Sequence, residues 1–589
     1  MEYTNEIYIS DFSKWINEKE LISNHTSSDK WETVSYETAQ VKGSLLIASK
    51  NSYPSPVTIT PNLEGYYKIY VCMGDISNGT GHIDLKLSDD EFERTMGAGR
   101  LMSYCQWTYT ERIEESFWKI ADMTNQSITI SKPDKGIPYT ANIFWIKFVK
   151  LTDEETEGYK HKKYQRNMIA HMDGDYHLYD VTNDIHDYCK PIYTMKDSDI
   201  GIICEEITND RCDFSHKYDD YVSRDTLDDI RELNFKDLTE RRFEIYKDQI
   251  EYAHKYGIQM FAADRMQLSN FAFDLDKPMF YIPFVENHPE LRCKARDGSY
   301  IDFISYAFKE TQDYMMGSIL DTAKHGFDGV LHIWTRGLSI FFEEPVIKRF
   351  EEKYGKEIDC RLLPENDSRL CEIRCDILTE FYKNIRKNLN DFAKDNGTKP
   401  LKIYLTCCFD VNSSKYYGID VEKLAENKLI DGIIQTKLKI SENTDGVIDD
   451  FGLIDIDKYL EKAKTDCIFE RVSGSRMDLI SEGMSDYLKI VNKYNLDFYS
   501  EIQWEGLKRP EEYVQGAKTV YKAGGKSISL WDCYPCRTTY LSEWNAVSEL
   551  GNKNKVMEMS EITDAYHKIH KVLSYNGKDV RFFNPSWRG

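Results

Sequence analysis

The chain has 589 residues and a formal charge of −23. That length is too great for one ordinary domain, so two or three cores are expected, one of them a barrel of about 250 residues or more. The negative excess excludes a nucleic-acid backbone as partner, because a polyanion gains nothing from counterion release at such a surface.

Hydrophobic residues make up 41% of the chain, enough to fill sizeable cores, and aromatic residues 13%. Tyr and Trp combine a large apolar face with a polar handle, which suits packing first and sugar stacking second. The opening Met1-Glu2-Tyr3-Thr4-Asn5-Glu6 has neither a basic nor an apolar leader region, and no run of about 18 apolar residues follows, so no membrane partner and a cytoplasmic location are expected. Fourteen cysteines, many in apolar strand-like runs such as those around Cys204, Cys407 and Cys467, read as reduced core residues.

From residue 1 to about 150 the pattern is all-β. Tyr66 to Cys72, His82 to Leu87 and Asn142 to Val149 mix alternation with continuous apolar runs between Gly, Pro, Asn and Asp clusters, and this predicts a β-sandwich. Trp118 is expected in its core. Residues 151–197 are polar and charged and read as a connecting segment. From Asp199 the rhythm changes to alternating β and α, as in a parallel sheet covered by helices. Eight strands are predicted: Ile200 to Glu206, Ile258 to Asp264, Phe327 to Trp334, Leu401 to Asp410, Asp431 to Lys437, Cys467 to Gly474, Leu496 to Trp504 and Ser527 to Asp532. Eight is the number that closes a (β/α)8 barrel, assigned here to residues 198–555. The long stretch from Thr226 to Tyr256 is amphipathic, and Pro510-Glu511-Glu512 marks a helix start. Residues 556–589 are expected to hold a helix from about Ser560 to Leu573 and an aromatic tail, Phe582 to Trp587, docking back.

Alternate side chains of a barrel strand face its interior, so parity selects the polar groups that meet in the mouth. On Phe327 to Trp334 this parity places His332, Trp334 and Arg336 together. Elsewhere it offers Glu206, Asp264, Asp410, Gln435, Lys437, Glu470, Glu501, Gln503 and Asp532, with Trp504 and Trp531 available to stack on sugar faces. Such carboxylates often only pair with cations, here Arg265, Arg336, Lys437 or Arg471. A whole ring of them is costly to bury without a function. Two carboxyls across a sugar-sized gap are what glycosidic cleavage needs, one protonated and one ionised. No zinc or redox site is completed: Cys407-Cys408 and Cys533-Tyr534-Pro535-Cys536 lack a second ligand pair, and Walker A, G-x-S-x-G and H-E-x-x-H patterns are missing.

Further motifs are Asn287-His288-Pro289-Glu290, Arg296-Asp297-Gly298, Ser305-Tyr306-Ala307-Phe308, Phe327-Asp328-Gly329, Arg336 and Lys353-Tyr354-Gly355. Weaker ones are Tyr417-Gly418-Ile419-Asp420-Val421, Leu429-Ile430-Asp431-Gly432 and Tyr521-Lys522-Ala523-Gly524-Gly525. On these the chain resembles the glycosyl-hydrolase-10-like family of bacterial carbohydrate enzymes, whose barrels often follow a sandwich. The resemblance implies a TIM barrel and glycoside hydrolysis. It departs at Leu331 and Ile333, where relatives commonly carry acids.

The expected function is therefore a glycoside hydrolase acting on an oligosaccharide or small glycoside, needing no metal or cofactor. Glu501 is the expected nucleophile or base and Asp410 or Glu470 its proton-donating partner. His332, Trp334, Arg336, Asp264, Glu206, Trp504 and Asp532 are expected to bind the sugar. The alternatives are a carbohydrate-binding protein without turnover, and a uronate lyase with His332 as base and Arg336 as clamp. A homo-oligomer is compatible with all three.

Overall fold

The structure is a computed structural model that describes residues 6–16, 22–23, 29–49, 52–74, 82–97, 112–133, 140–172, 184–208, 243–267, 283–335, 337–441, 468–471, 480–502, 509–531, 533 and 541–579. Two β-sheets are built mostly from the N-terminal residues. The larger runs in the order Glu6–Ile9, Trp145–Lys150, Tyr66–Gly74, Arg112–Asp122, His567–Tyr575, Trp31–Thr38, Lys42–Ala48 and Ala141–Ile143. The smaller runs Val57–Ile59, Ile128–Ser131, His82–Leu87 and Arg94–Gly97. Both contribute to one apolar cluster, with Trp31, Leu46, Ile69 and Val71 from the larger sheet and Ile83, Leu85, Ile128 and Ile130 from the smaller. Trp118 lies in this cluster as expected, while the tail from Phe582 to Trp587 lies outside the described residues.

The C-terminal segment is corrected. His567–Tyr575 is a strand, not a helix, and it fills the slot between Arg112–Asp122 and Trp31–Thr38. Buried His567 and Val572 dock it, and the ladder bonds offered by two open strand edges outweigh a weak helical periodicity. The chain thus returns to its N-terminal sheet after completing the rest of the fold.

Eight parallel strands close a barrel: β1 (Met168–Met172), β2 (Ile200–Thr208), β3 (Gln259–Arg265), β4 (Gly329–Ile333), β5 (Lys402–Cys407), β6 (Gly432–Gln435), β7 (Asp497–Glu501) and β8 (Ile528–Leu530). Seven of them fall where the apolar runs predicted. The eighth does not: β1 arises inside the segment read as a connection, from the fully buried run Met168-Ile169-Ala170-His171-Met172. Of the predicted strand from Cys467 to Gly474, the described part, Ile468–Arg471, stays outside the barrel and pairs antiparallel with Leu438–Ser441.

Around the barrel lie helices at 243–255 (α1), Lys309–Lys324 (α2), Ser368–Asn396 (α3), Val411–Tyr416 (α4), Ile480–Tyr494 (α5) and Pro510–Lys522 (α6). α6 begins with Pro510 at its first turn followed by Glu511 and Glu512, as predicted. α2 ends before Gly326, whose φ of +86° turns the chain into β4. Register fixes which side chains point inward. Phe261 pairs with Gly329, Leu331 with Tyr404, Ile434 with Tyr499, and Ser529 with Ile169. With Ile202, Cys204, Ala263 and Ile333 they fill the interior. Two glycines make room for the largest rings: a Cβ on Gly329 would lie 2.6 Å from the Phe261 ring, and one on Gly432 would lie 2.7 Å from Tyr404. The ten described cysteines are all buried, and none is joined in a disulfide. No described helix is long and apolar enough to cross a membrane.

Candidate active site

The same register that fills the floor carries five polar or aromatic groups to the C-terminal end of the barrel. Glu501 follows inward Tyr499 at the end of β7, and Trp531 follows inward Ser529 after β8. His171 follows Ile169 on β1, Glu206 follows Cys204 on β2, and Arg265 follows Ala263 on β3. These are five neighbouring strands of the closed ring, so the groups form one arc of the mouth. The inward residues of the other three strands are Ile333, Thr406 and Ile434. Among the described residues one side of the mouth is therefore ionisable and the other apolar apart from the hydroxyls of Thr335 and Thr406.

Within the arc the contacts are close. Arg265 Nε lies 2.6 Å from Glu206 Oε1, and His171 Nε2 lies 3.5 Å from Glu206 Oε2. The His171 ring stacks on the Trp531 indole, with centroids 3.8 Å apart and planes 15° from parallel. The backbone N–H of Cys533 donates to the His171 carbonyl and ties the end of β1 to the chain leaving β8. Glu206, Arg265 and Glu501 are all buried. Two carboxylates, a guanidinium and an imidazole held under a half-buried indole can compensate charge and exchange protons with a bound hydroxyl or ether oxygen.

The parity predicted for β4 is corrected. His332 and Trp334 face outward, away from the interior occupied by Leu331 and Ile333. His332 Nδ1 lies 2.9 Å from Tyr382 Oη on α3, and Trp334 Nε1 donates to the same oxygen at 2.7 Å. Tyr382 Oη thus accepts from the indole and is hydrogen-bonded to the imidazole. Burial pushes the His332 pKa down to about 3. Asp264, which pairs with His332 across the strands, faces outward too, its Oδ2 3.9 Å from His332 Nε2. The error has a physical cause: all five residues of β4 are buried, so both faces are dry and alternation cannot name the inner one. A lyase that uses His332 as base fails with this placement, since the ring lies behind the barrel wall.

Other expected groups are also placed elsewhere. Asp410 caps α4, its Oδ1 accepting from the Ser413 N–H at 2.7 Å. Glu470 belongs to the Ile468–Arg471 strand and not to the barrel. Gln435 is outward and donates to the Phe409 carbonyl. Arg336, Trp504 and Asp532 lie outside the described residues. Glu206 and Glu501 remain on the inward face, where Arg265 and Trp531 join them. His171 was missed because β1 was missed. Its signal was the short apolar run between Gln165-Arg166-Asn167 and the turn-forming Asp173-Gly174-Asp175.

No family model matches the sequence, and no curated protein matches it. Among solved structures the chain is similar to the glycoside hydrolase domain of PgaB (BpsB) from Bordetella bronchiseptica, with 11% identity over 65% of this chain and 99% of that one and a TM-score of 0.39. It is similar to a ruminal GH26 endo-β-1,4-mannanase with 10% identity over 96% and 99% of the two chains and a TM-score of 0.29. It is also similar to an α-galactosidase from Thermus thermophilus, with 8% identity over 85% and 91% and a TM-score of 0.30. Similarity at this level does not extend to a site, whose reading rests on its own residues.

Proposed function

We propose that the barrel mouth hydrolyses a glycosidic bond in an oligosaccharide or small glycoside, with Glu501 and Glu206 as the two carboxylates. The observation that carries this reading is the arc itself: two buried carboxylates on inward positions of β7 and β2, with the His171 and Trp531 stack on the strands between them. Glu206 has its counter-charge in place in Arg265, which suits the carboxylate that stays anionic opposite an oxocarbenium-like transition state. Glu501 then gives its proton to the glycosidic oxygen as the bond to the anomeric carbon breaks, and takes one back from the water that adds to that carbon. This replaces Asp410 and Glu470 with Glu206 as the partner of Glu501, and moves Glu501 from the expected nucleophile or base to the proton donor. Trp531 offers ring face to the sugar, and the chemistry needs no metal. The two N-terminal sheets, sharing one apolar cluster, are read as a β-sandwich that accompanies the barrel.

One observation favours a second reading, a saccharide-binding protein without turnover. The inward positions on β4 are Leu331 and Ile333, and Glu206 is already engaged by Arg265 and His171. Digestion of glycan libraries separates the two. Hydrolysis gives new reducing ends with the parent chain and none with Glu501→Gln or Glu206→Gln, whereas binding alone gives retention without products. Parent-like turnover by Glu501→Gln on a substrate the parent cleaves removes the proposed mechanism.

A further inference from the structure

Outside the barrel wall a second cluster of ionisable side chains converges, and the mouth makes no use of it. A 3-10 helix, Ile185–Cys189, begins at Asp184, whose carboxylate accepts from the His186 N–H. The spacing of three puts His186 and Cys189 on one side of that turn. Facing them is Asp248 on α1. His186 Nδ1 lies 2.7 Å from Asp248 Oδ2, and the Cys189 thiol donates to the same oxygen at 3.3 Å. The three donor atoms, one nitrogen, one sulfur and one oxygen, lie within 4.8 Å of one another.

The surroundings resemble a ligand sphere more than a chance contact. His186 Nε2 points away from the cluster to Glu91 Oε1 at 3.0 Å, and the other Glu91 oxygen accepts from the Tyr252 hydroxyl at 2.7 Å. Tyr252 lies one turn beyond Asp248 on α1. Phe92 and Tyr252 flank the imidazole, with ring centroids 5.2 and 5.3 Å away. The ring that offers Nδ1 is thus held by a carboxylate on Nε2, the arrangement that fixes metal-binding histidines. Cys189 is buried while His186 and Asp248 are partly exposed, so an ion has a route in from solvent.

We propose that His186 Nδ1, Cys189 Sγ and Asp248 form a site for a borderline-soft divalent cation of the zinc type, with Glu91 as the outer carboxylate that orients His186. Bonds of about 2.0–2.3 Å to a tetrahedral ion place donor atoms roughly 3.3–3.7 Å apart, so the side chains need to move by about an ångström or less. Mixed N, S and O donors exclude magnesium and calcium as the preferred ions. Three protein ligands leave a fourth position for water. The bound ion joins the 3-10 helix to α1, and through Glu91 it couples both to the turn between His82–Leu87 and Arg94–Gly97 of the smaller sheet.

The test uses the full chain, freed of metal with a chelator and titrated with Co²⁺. Expected are one equivalent bound, a sulfur-to-cobalt charge-transfer band with four-coordinate visible absorption, and displacement by Zn²⁺. Cys189→Ser should abolish the band, with an unchanged far-ultraviolet spectrum showing that the chain still folds. Glu91→Gln, which alters no ligand, should keep the band and weaken Zn²⁺ binding about 10- to 100-fold. Lack of a charge-transfer band in the parent, or one that persists in Cys189→Ser, overturns the proposal and leaves a hydrogen-bonded cluster only. Unchanged Zn²⁺ affinity in Glu91→Gln removes the role given to Glu91.

Discussion

His332 turns the placement of β4 into a measurable pH dependence. The ring is fully buried, and its pKa falls from 6.5 to about 3 because burial disfavours the imidazolium; Asp264, at 3.9 Å, is beyond hydrogen-bond reach. The unfolded chain takes up a proton near 6.5, whereas the folded chain resists it until about pH 3. The stabilisation from this group is therefore complete above 6.5 and is lost as pH falls between the two values, by about 1.36 kcal/mol per pH unit. At about pH 4.5, two units into the window, the loss is about 2.7 kcal/mol. His332→Asn removes the titration. At about pH 7.5 the variant should be less stable by roughly 1–2 kcal/mol, from the altered bond to Tyr382 and the smaller side chain. At about pH 4.5 that deficit should vanish or invert. Several cores make one global unfolding free energy ill-defined, so native-state hydrogen exchange of the amides of β4, corrected for intrinsic rate, is the suitable assay. A deficit equal at both pH values would show that His332 titrates normally, and the outward placement of the β4 parity would fall with it.

Four further outcomes are expected. Arg265→Met leaves Glu206 buried without its guanidinium and should cost about 3–5 kcal/mol, most of it recovered in the double variant with Glu206→Gln; a deficit that persists in the double variant, seen in hydrogen exchange of the β2 and β3 amides, would refute the ion-pair account. His567 lies 3.0 Å from Glu114 in the large sheet. Burial opposes its charge, but the hydrogen bond and charge of Glu114 outweigh burial and raise its pKa above 6.5. Its contribution is thus present below 6.5 and lost as pH rises through the raised value. The gap in protease resistance between parent and His567→Gln should close toward alkaline pH, and a widening gap contradicts the sign. Gly432→Val drives a side chain into the Tyr404 ring and should cost at least about 1–3 kcal/mol of barrel stability in hydrogen exchange of the β5 and β6 amides, with little loss counting against a filled floor. Trp531→Ala should weaken retention of any bound saccharide on an affinity matrix by about 0.5–1.5 kcal/mol.

Much of the barrel was legible because its strands are apolar runs bounded by turns and helix starts, as at Phe327-Asp328-Gly329 and Pro510-Glu511-Glu512. Existence and order of an element follow from local composition. What failed needed partners distant in sequence. Met168–Met172 is too short and too flanked by charge to announce itself until Ile200–Thr208 and Ile528–Leu530 accept it between them. His567–Tyr575 becomes a strand because two edges await it. Of the candidate site, Glu206 and Glu501 were readable as strand-end carboxylates, while His171 was hidden with its strand.

By itself the sequence determined that an all-β region precedes an α/β region, where seven of the eight barrel strands run, and that strand ends would be rich in carboxylates. The tertiary structure alone decided which of those groups meet. A strand buried on both sides has no wet face, so Leu331 and Ile333 against His332 and Trp334 is a choice made by ring packing inside the barrel and by Tyr382 outside it. That choice removes His332 and Trp334 from the expected sugar-binding set and leaves the candidate chemistry to the arc running from Glu501 to Arg265.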